Sequence, residues 1–328
     1  MLNPLFSVNV GQTIGQCRAA PVCLGDGQPP ALMVAVCADF DVDPYPEMFF
    51  FPKDTYKLMV LTAEGEILWR RDLGPGVVPG MWFTPFLPVD LDGDGVDEIY
   101  YVGNRDPQHP LSNKQRVLER IDARTGESVA SWPWPDTMSN EPPSSGYRNF
   151  LLTGKVRGKT VLVTAQGTYG AMQLQGWNAD LSPRWEYAIP TDRPGARGSH
   201  MCPVVDWDGD GDDEFFWGER LIKMDTGEEM FCADRDSYDG HSDIIQPIYD
   251  WERQGWSLYT CRETNLSNYN FPERGRAPMP PRVALYGADG ERVWGDLEEG
   301  HMDMGFVARV GPDRFPLAQA VRIGQKTC

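Results

Sequence analysis

Five times along this chain an alternating apolar stretch breaks at a tight turn rich in glycine and aspartate. Each time it resumes as a short strand that ends in a large aromatic ring. The copies are KLMVLTAEGEILW (57–69), RVLERIDARTGESVASW (116–132), MQLQGWNADLSPRW (172–185), RLIKMDTGEEMF (220–231) and RVALYGADGERVW (282–294). Their closing rings, Trp69, Trp132, Trp185, Phe231 and Trp294, stand 63, 53, 46 and 63 residues apart. That is at or above the roughly 40–50 residues of a four-stranded propeller blade. Helical repeats would keep apolar positions three and four apart, and no segment sustains that beyond a turn or two. The pattern predicts an all-β chain, a β-propeller of four-stranded antiparallel blades.

Each unit has a preceding half that reads as the innermost strand. These openings are ALMVAVCADF (31–40), WFTPFLPVD (82–90), YRNFLLTGKV (147–156), HMCPVVDWD (200–208), HSDIIQPIYD (241–250) and HMDMGFVARV (301–310). Six blades are therefore expected in a single domain over 1–328, opening near 31, 82, 147, 200, 241 and 301. The last would hold only a second strand at FPLAQAVRIG (315–324). Nothing in 1–30 repeats the turn-plus-tryptophan unit, and an open ring would expose strand edges. The reading is thus of a natural chain longer than this one.

Two further strings are near copies, VDLDGDGVDEIYYVG (89–103) and VDWDGDGDDEFFWGE (205–219). A hard dication takes six to eight oxygen ligands, and carboxylates at every second position around glycine turns supply them. Asp90, Asp92, Asp94 and then Asp97 or Glu98 fit, with the carbonyl of Val96. Asp206, Asp208, Asp210 and Asp213 or Glu214 fit likewise, with the carbonyl of Asp212. An EF-hand would continue as a helix, whereas IYYVG and FFWGE are aromatic and β-branched, so each loop joins two strands. Structural Ca²⁺ in both loops is expected, against an acidic turn that stays solvated.

The formal charge of −18 excludes nucleic acid as a default partner, since phosphate binding needs a basic footprint. No apolar stretch is long enough to cross a bilayer. The start MLNPLFSVNVGQ lacks a basic region followed by an apolar one, which reads as no signal peptide and a cytoplasmic location, or a secreted one had the start been trimmed. Seven cysteines at irregular spacing, without CxxC, argue against a disulfide framework. Cys202, two residues from His200, is the thiol to consider as a metal ligand.

Blade connectivity sorts the loops. First-to-second and third-to-fourth connections share one end, which takes the acidic loops and the glycine turns. Inner-strand starts and second-to-third loops share the other. All four histidines fall there: His200, His241 and His301 at inner-strand starts, and His109 in the loop 103–116. They are expected to line a site for acid–base work or to hold a transition metal, Mn²⁺ or Zn²⁺, unless each simply satisfies a neighbouring carbonyl. Asp243 and Asp303 follow two residues after His241 and His301, on the same strand face. Arg105, Arg116, Arg148, Arg193, Arg197, Arg262, Arg274, Arg276 and Arg282 collect on that side, as do the long loops 132–146 and 264–281. A basic, aromatic rim on an acidic protein suggests an anionic carbohydrate.

The paired strings GHSD (240–243) and GHMD (300–303), between blades carrying DxDGDGxDE loops, resemble the β-propeller polysaccharide lyases. The likeness is greatest to rhamnogalacturonan lyases, and more distant to ulvan and oligogalacturonate lyases. The resemblance implies β-elimination on a uronic-acid polysaccharide, structural calcium, and His241 and His301 as site residues. His200 is added by blade equivalence. The chemistry needs a cation to neutralise the uronate carboxylate, a base and an acid. Arg148 or Arg197 is expected as neutraliser, His200 or His241 as base, and Tyr147 as acid with Tyr169 as its substitute. His109, Arg197, His301, Tyr169, Asp243 and Asp303 are expected to contact substrate. The competing reading is a non-catalytic, calcium-stabilised binding propeller, of integrin-like or quinoprotein-like type.

Overall fold

In a computed structural model, the described residues are 6–25, 27–42, 52–108, 115–135, 146–251, 254–263, 281–296, 301–310 and 315–323. For strand residues 296, 301, 303, 309, 310, 315–319 and 321–323 the description is of the backbone. Every named element is a strand. The first sheet runs β1 (Gln16–Val22), β2 (Ala31–Cys37), β3 (Lys57–Leu61), β4 (Ile67–Asp72), and the second β5 (Phe86–Val89), β6 (Glu98–Asn104), β7 (Arg116–Asp122), β8 (Ser128–Pro133). The third runs β9 (Asn149–Val156), β10 (Lys159–Gln166), β11 (Met172–Trp177), β12 (Pro183–Ile189), and the fourth β13 (Val204–Val205), β14 (Glu214–Trp217), β15 (Arg220–Lys223), β16 (Glu229–Cys232). β17 (Ser242–Asp250), β18 (Gly255–Arg262), β19 (Val283–Tyr286) and β20 (Arg292–Asp296) make the fifth, and β21 (His301–Val310) pairs with β22 (Phe315–Ile323).

Five sheets thus have four strands each, paired in chain order and antiparallel, the blade pattern of a β-propeller. One expectation is corrected. Ala31–Cys37 is not an opening strand but the second strand of its blade, and Gln16–Val22 pairs ahead of it. The sequence QCRAAPV hid this because it is short in large β-formers and carries a proline, and β1 buries chiefly its two ends.

The chain forms two compact units, Met1–Leu151 with Thr164–Gln166, and Leu152–Val163 with Gly167–Cys328. In the first, Met33, Ala35, Leu58, Val60, Ile99 and Ile121 share one core. In the second, Phe216, Leu221, Ile245, Leu258 and Ala284 do the same. Central strands are mostly buried, entirely so in Lys57–Leu61, whereas the fourth strands Ile67–Asp72 and Ser128–Pro133 are largely exposed.

The closing aromatics explain why the turn sequence recurs. Trp69 donates its indole N–H to the carbonyl of Ala123 at 2.7 Å, and Trp185 donates to Met224 at 2.8 Å. Three of the closing rings lie on the glycine of the next blade's turn: a Cβ on Gly126 would meet Trp69 at 2.6 Å, one on Gly227 would meet Trp185 at 2.5 Å, and one on Gly290 would meet Phe231 at 2.6 Å. Glycine is required there twice over, by this close approach and by φ values of 73°, 72° and 79°. The repeat is a docking joint between neighbouring blades.

Candidate functional site

His200 and His241 meet because two blade openings run side by side. Ser199 and Ser242 form a parallel bridge, with the N–H of Ser242 donating to Gly198 and that of His200 donating to Ser242, both at 3.3 Å. The residues flanking the serines, His200 on one strand and His241 and Asp243 on the other, then project together. The imidazoles of His200 and His241 lie edge to face at 4.6 Å between centroids. Asp243 closes the group: its Oδ1 is 3.1 Å from Nε2 of His200 and 3.8 Å from Nε2 of His241. Ligand atoms of all three residues lie within 4.8 Å of one another. His241 is fully buried, and the His200 side chain keeps 26% of its surface exposed. This set can act in two ways. The carboxylate can hold the His200 imidazole for proton transfer, or all three side chains can ligate one cation.

Beneath the cluster lies a buried network of charge. Glu219, 0% exposed, accepts from Ser242 Oγ at 2.7 Å and from Arg262 Nε at 2.8 Å. Arg262 also donates to Asp234 at 2.9 Å and to the hydroxyl of Tyr286, and stands 4.0 Å from the centroid of the Tyr238 ring. Tyr238 in turn donates to the carbonyl of His241 at 2.5 Å. A buried guanidinium persists only where carboxylates and ring faces replace its water. Ser242, between His241 and Asp243, is thereby fixed.

Two side chains sit against the cluster. Tyr169 stacks on His241, with centroids 4.4 Å apart and planes 29° from parallel, and its hydroxyl donates to Glu263 Oε2 at 2.9 Å. The N–H of Glu263 donates to the carbonyl of His241 at 3.1 Å. Glu263 escaped the sequence reading because it follows β18 as an ordinary strand-end acid. It continues the β17–β18 pairing onto His241, and its contact with Tyr169, 94 residues away, is invisible in a linear sequence.

The arginine expectations are corrected. Arg148 and Arg197 are each 1% exposed. Arg197 donates to the carbonyls of Pro190 at 2.9 Å, Thr191 at 2.7 Å and Arg193, so it ties down its own loop. Arg148 packs over Trp82 at 5.3 Å in the first unit. Tyr147, also in the first unit, packs on Phe83 at 5.2 Å and beneath Arg116 at 5.6 Å. Arg262 and Arg282 are buried too. Composition counts cations but not their burial, and these four build the scaffold rather than a basic rim. Cys202 is not in the histidine group. His109, Arg274, Arg276 and most of the two long loops lie outside the described residues, as do the side chains of His301 and Asp303. The backbone places His301 at the start of β21 and Asp303 two residues on.

Each acidic loop brings three carboxylates together, Asp90, Asp92 and Asp94 in one and Asp206, Asp208 and Asp210 in the other, with oxygens within 4.8 Å. Both wrap backbone N–H groups around the first aspartate, Gly93 to Asp90 at 2.7 Å and Gly209 to Asp206 at 2.8 Å. Glu98 and Glu214 turn back onto their loops, accepting from Leu91 at 3.3 Å and Trp207 at 2.9 Å. Burial, then the neighbouring aspartates, push Glu98 above its ordinary range and Glu214 up to about 7. This donor set of crowded carboxylates, held by glycines with φ of 77° to 92°, fits a hard divalent cation. Asp97 and Asp213, however, point elsewhere. Asp97 accepts from the N–H of Cys23 at 2.7 Å, and Asp213 from that of Lys155 at 2.6 Å. Their own N–H groups return bonds to the same two residues, at 2.8 and 2.7 Å. Both clip a loop to the first hairpin of the preceding blade.

No family model matches this chain. It is 27% identical over 299 residues to rhamnogalacturonan exolyase YesX of Bacillus subtilis (strain 168), covering 79% of the chain and 44% of the relative. It is 25% identical over 300 residues to rhamnogalacturonan endolyase YesW of the same organism, covering 80% and 44%. The chain thus spans less than half the length of these curated relatives. Among solved structures, exotype rhamnogalacturonan lyase YesX superposes with a TM-score of 0.76 at 20% identity, over 93% of this chain and 54% of the other. A Bacillus licheniformis rhamnogalacturonan lyase superposes at 0.75 and 20%, over 96% and 60%. The propeller fold and the resemblance to rhamnogalacturonan lyases read from the GHxD strings and acidic loops are borne out.

Proposed function

We propose that this chain belongs to a polysaccharide lyase that cleaves a rhamnose–uronate polysaccharide by β-elimination, with His200, His241 and Asp243 at the reacting centre. The observation that carries the reading is the 3.1 Å approach of Asp243 to His200, beside a second imidazole, on a chain whose relatives are named rhamnogalacturonan lyases. In the reaction a base takes the proton from the carbon next to the uronate carboxyl. That electron pair forms a carbon–carbon double bond as the bond to the leaving oxygen breaks, and the oxygen takes up a proton; water is not consumed.

His200, the more exposed imidazole, is the base, and Asp243 holds its ring. His241 is the buried member that fixes the others. His301 and Asp303, at the start of β21, repeat the spacing of 241 and 243 and are assigned to the same anionic sugar chain. Arg148 and Arg197, being buried, drop out of substrate contact. The cluster also fits a divalent cation such as Mn²⁺ or Zn²⁺; when bound there it would supply the charge that neutralises the uronate. On that arrangement His200, His241 and Asp243 are ligands and the base lies elsewhere. Calcium is assigned to the two acidic loops as a structural ion.

The test is to incubate the protein with rhamnogalacturonan, ulvan, polygalacturonate and gum arabic, and to follow the ultraviolet absorbance of an unsaturated uronate. Product from rhamnogalacturonan, lost in His200→Ala and His241→Ala, is the expected result. Silence on all four polymers refutes the lyase reading. Activity that survives a chelator retains His200 as base, and activity abolished by it and restored by Mn²⁺ or Zn²⁺ assigns the histidines as ligands.

A further inference from the structure

Tyr169 holds a backbone conformation that its side chain disfavours, with φ of 68°. A bulky residue in the left-handed region persists only where its surroundings over-determine it, and such residues gather at working sites. Glycine would fit without strain, and Gly170 follows directly. The kink is tied to the segments that carry the cluster: the N–H of Tyr169 donates to Arg197 at 3.0 Å, and that of Arg197 donates to Gly240 at 2.8 Å.

What the strained backbone achieves is placement of the ring. It covers one face of His241 at 4.4 Å, while the hydroxyl at its far end holds Glu263 at 2.9 Å. His241 is held as well through its carbonyl, which accepts from Tyr238 and Glu263, and its ring meets His200 edge to face. We propose that Tyr169 is a positioning residue, a strained clamp that sets the orientation of the His241 imidazole and ties it to the Glu263 carboxylate. This deepens the lyase reading and rests on it for its functional consequence. It also replaces the expected acid role of Tyr169, whose hydroxyl proton is directed at a carboxylate.

A clamp and a merely structural tyrosine differ in what they move. Tyr169→Gly relieves the backbone but removes the stack and the bond to Glu263, so the melting midpoint should change little while kcat falls about 100-fold, the scale expected of a misplaced reacting group. KM should stay within about twofold, because transition-state placement rather than uniform binding is lost. The His241 Cε1–H resonance in histidine-labelled protein should move downfield as the ring current of Tyr169 disappears. Tyr169→Phe should keep that resonance in place and lose part of kcat. A fall in midpoint and kcat together with the His241 resonance unmoved, or unchanged kcat in the glycine variant, overturns the proposal. If the wild-type protein eliminates none of the four polymers, the lyase reading fails by itself. The His241 resonance and the melting midpoints then still decide whether Tyr169 clamps the ring.

Discussion

Replacing Gly227 by alanine tests the blade joint most directly. The new Cβ would lie 2.5 Å from Cε3 and 2.6 Å from Cδ2 of Trp185, inside van der Waals contact. The φ of 72° adds the left-handed penalty of a side-chain-bearing residue, about 1–2 kcal/mol. Trp185 must then move, and its 2.8 Å bond to Met224 is at stake for about 1 kcal/mol. Its stacking with Phe215, at 6.3 Å and 11°, contributes about 0.5–1.5 kcal/mol more. The control is Gly158→Ala, with an equivalent φ of 73° and nothing within 4 Å of the new Cβ. It should lose the conformational part alone. The gap between the two variants is then about 2 kcal/mol, which at a typical urea dependence separates their midpoints by about 1 M. Tryptophan fluorescence during urea titration reads this directly. Coincident midpoints for the two variants would refute the docking account of the repeat.

Further outcomes follow from the acidic loops and the buried network. Asp213→Ala should lower stability by about 2 kcal/mol through the lost clip to Lys155, yet leave calcium titration intact, whereas Asp208→Ala should weaken calcium binding; isothermal titration calorimetry and urea unfolding check both. Glu214 has a native pKa raised to about 7 by burial and by Asp208, Asp210 and Asp206, so in chelator the native state holds a proton that the unfolded state has released. Stability should therefore fall as pH rises from about 4.5 to 7, and the slope should be shallower in Glu214→Gln, as followed by melting midpoints across pH. Arg262→Met leaves the buried Glu219 without its cation and should cost about 3–5 kcal/mol in urea unfolding.

The fold was legible because its joints use distinctive residues: a ring and a glycine recur where Trp69, Trp185 and Phe231 each meet the next blade, and no other local need imposes both. The convergence of His200 and His241 was legible for a related reason, since equivalent positions on adjacent inner strands face one another. Burial was not legible. Arg148 and Arg197 read as surface cations because a linear string does not reveal whether a guanidinium finds carbonyls and rings or water. Asp97 and Asp213 read as ligands because they stand among clustered carboxylates, while the partner that claims each carboxylate belongs to the preceding blade. Glu263 and the strain at Tyr169 depend on contacts between distant segments.

The joint made by each closing aromatic also bears on how such a chain can change over time. Trp69, Trp185 and Phe231 each engage the turn of the very next blade. Whole modules can then be duplicated or exchanged, provided the newcomer offers a glycine on one side and a ring on the other. The strand ends that carry His200 and His241 take no part in that handshake. They can vary without disturbing the assembly that supports them.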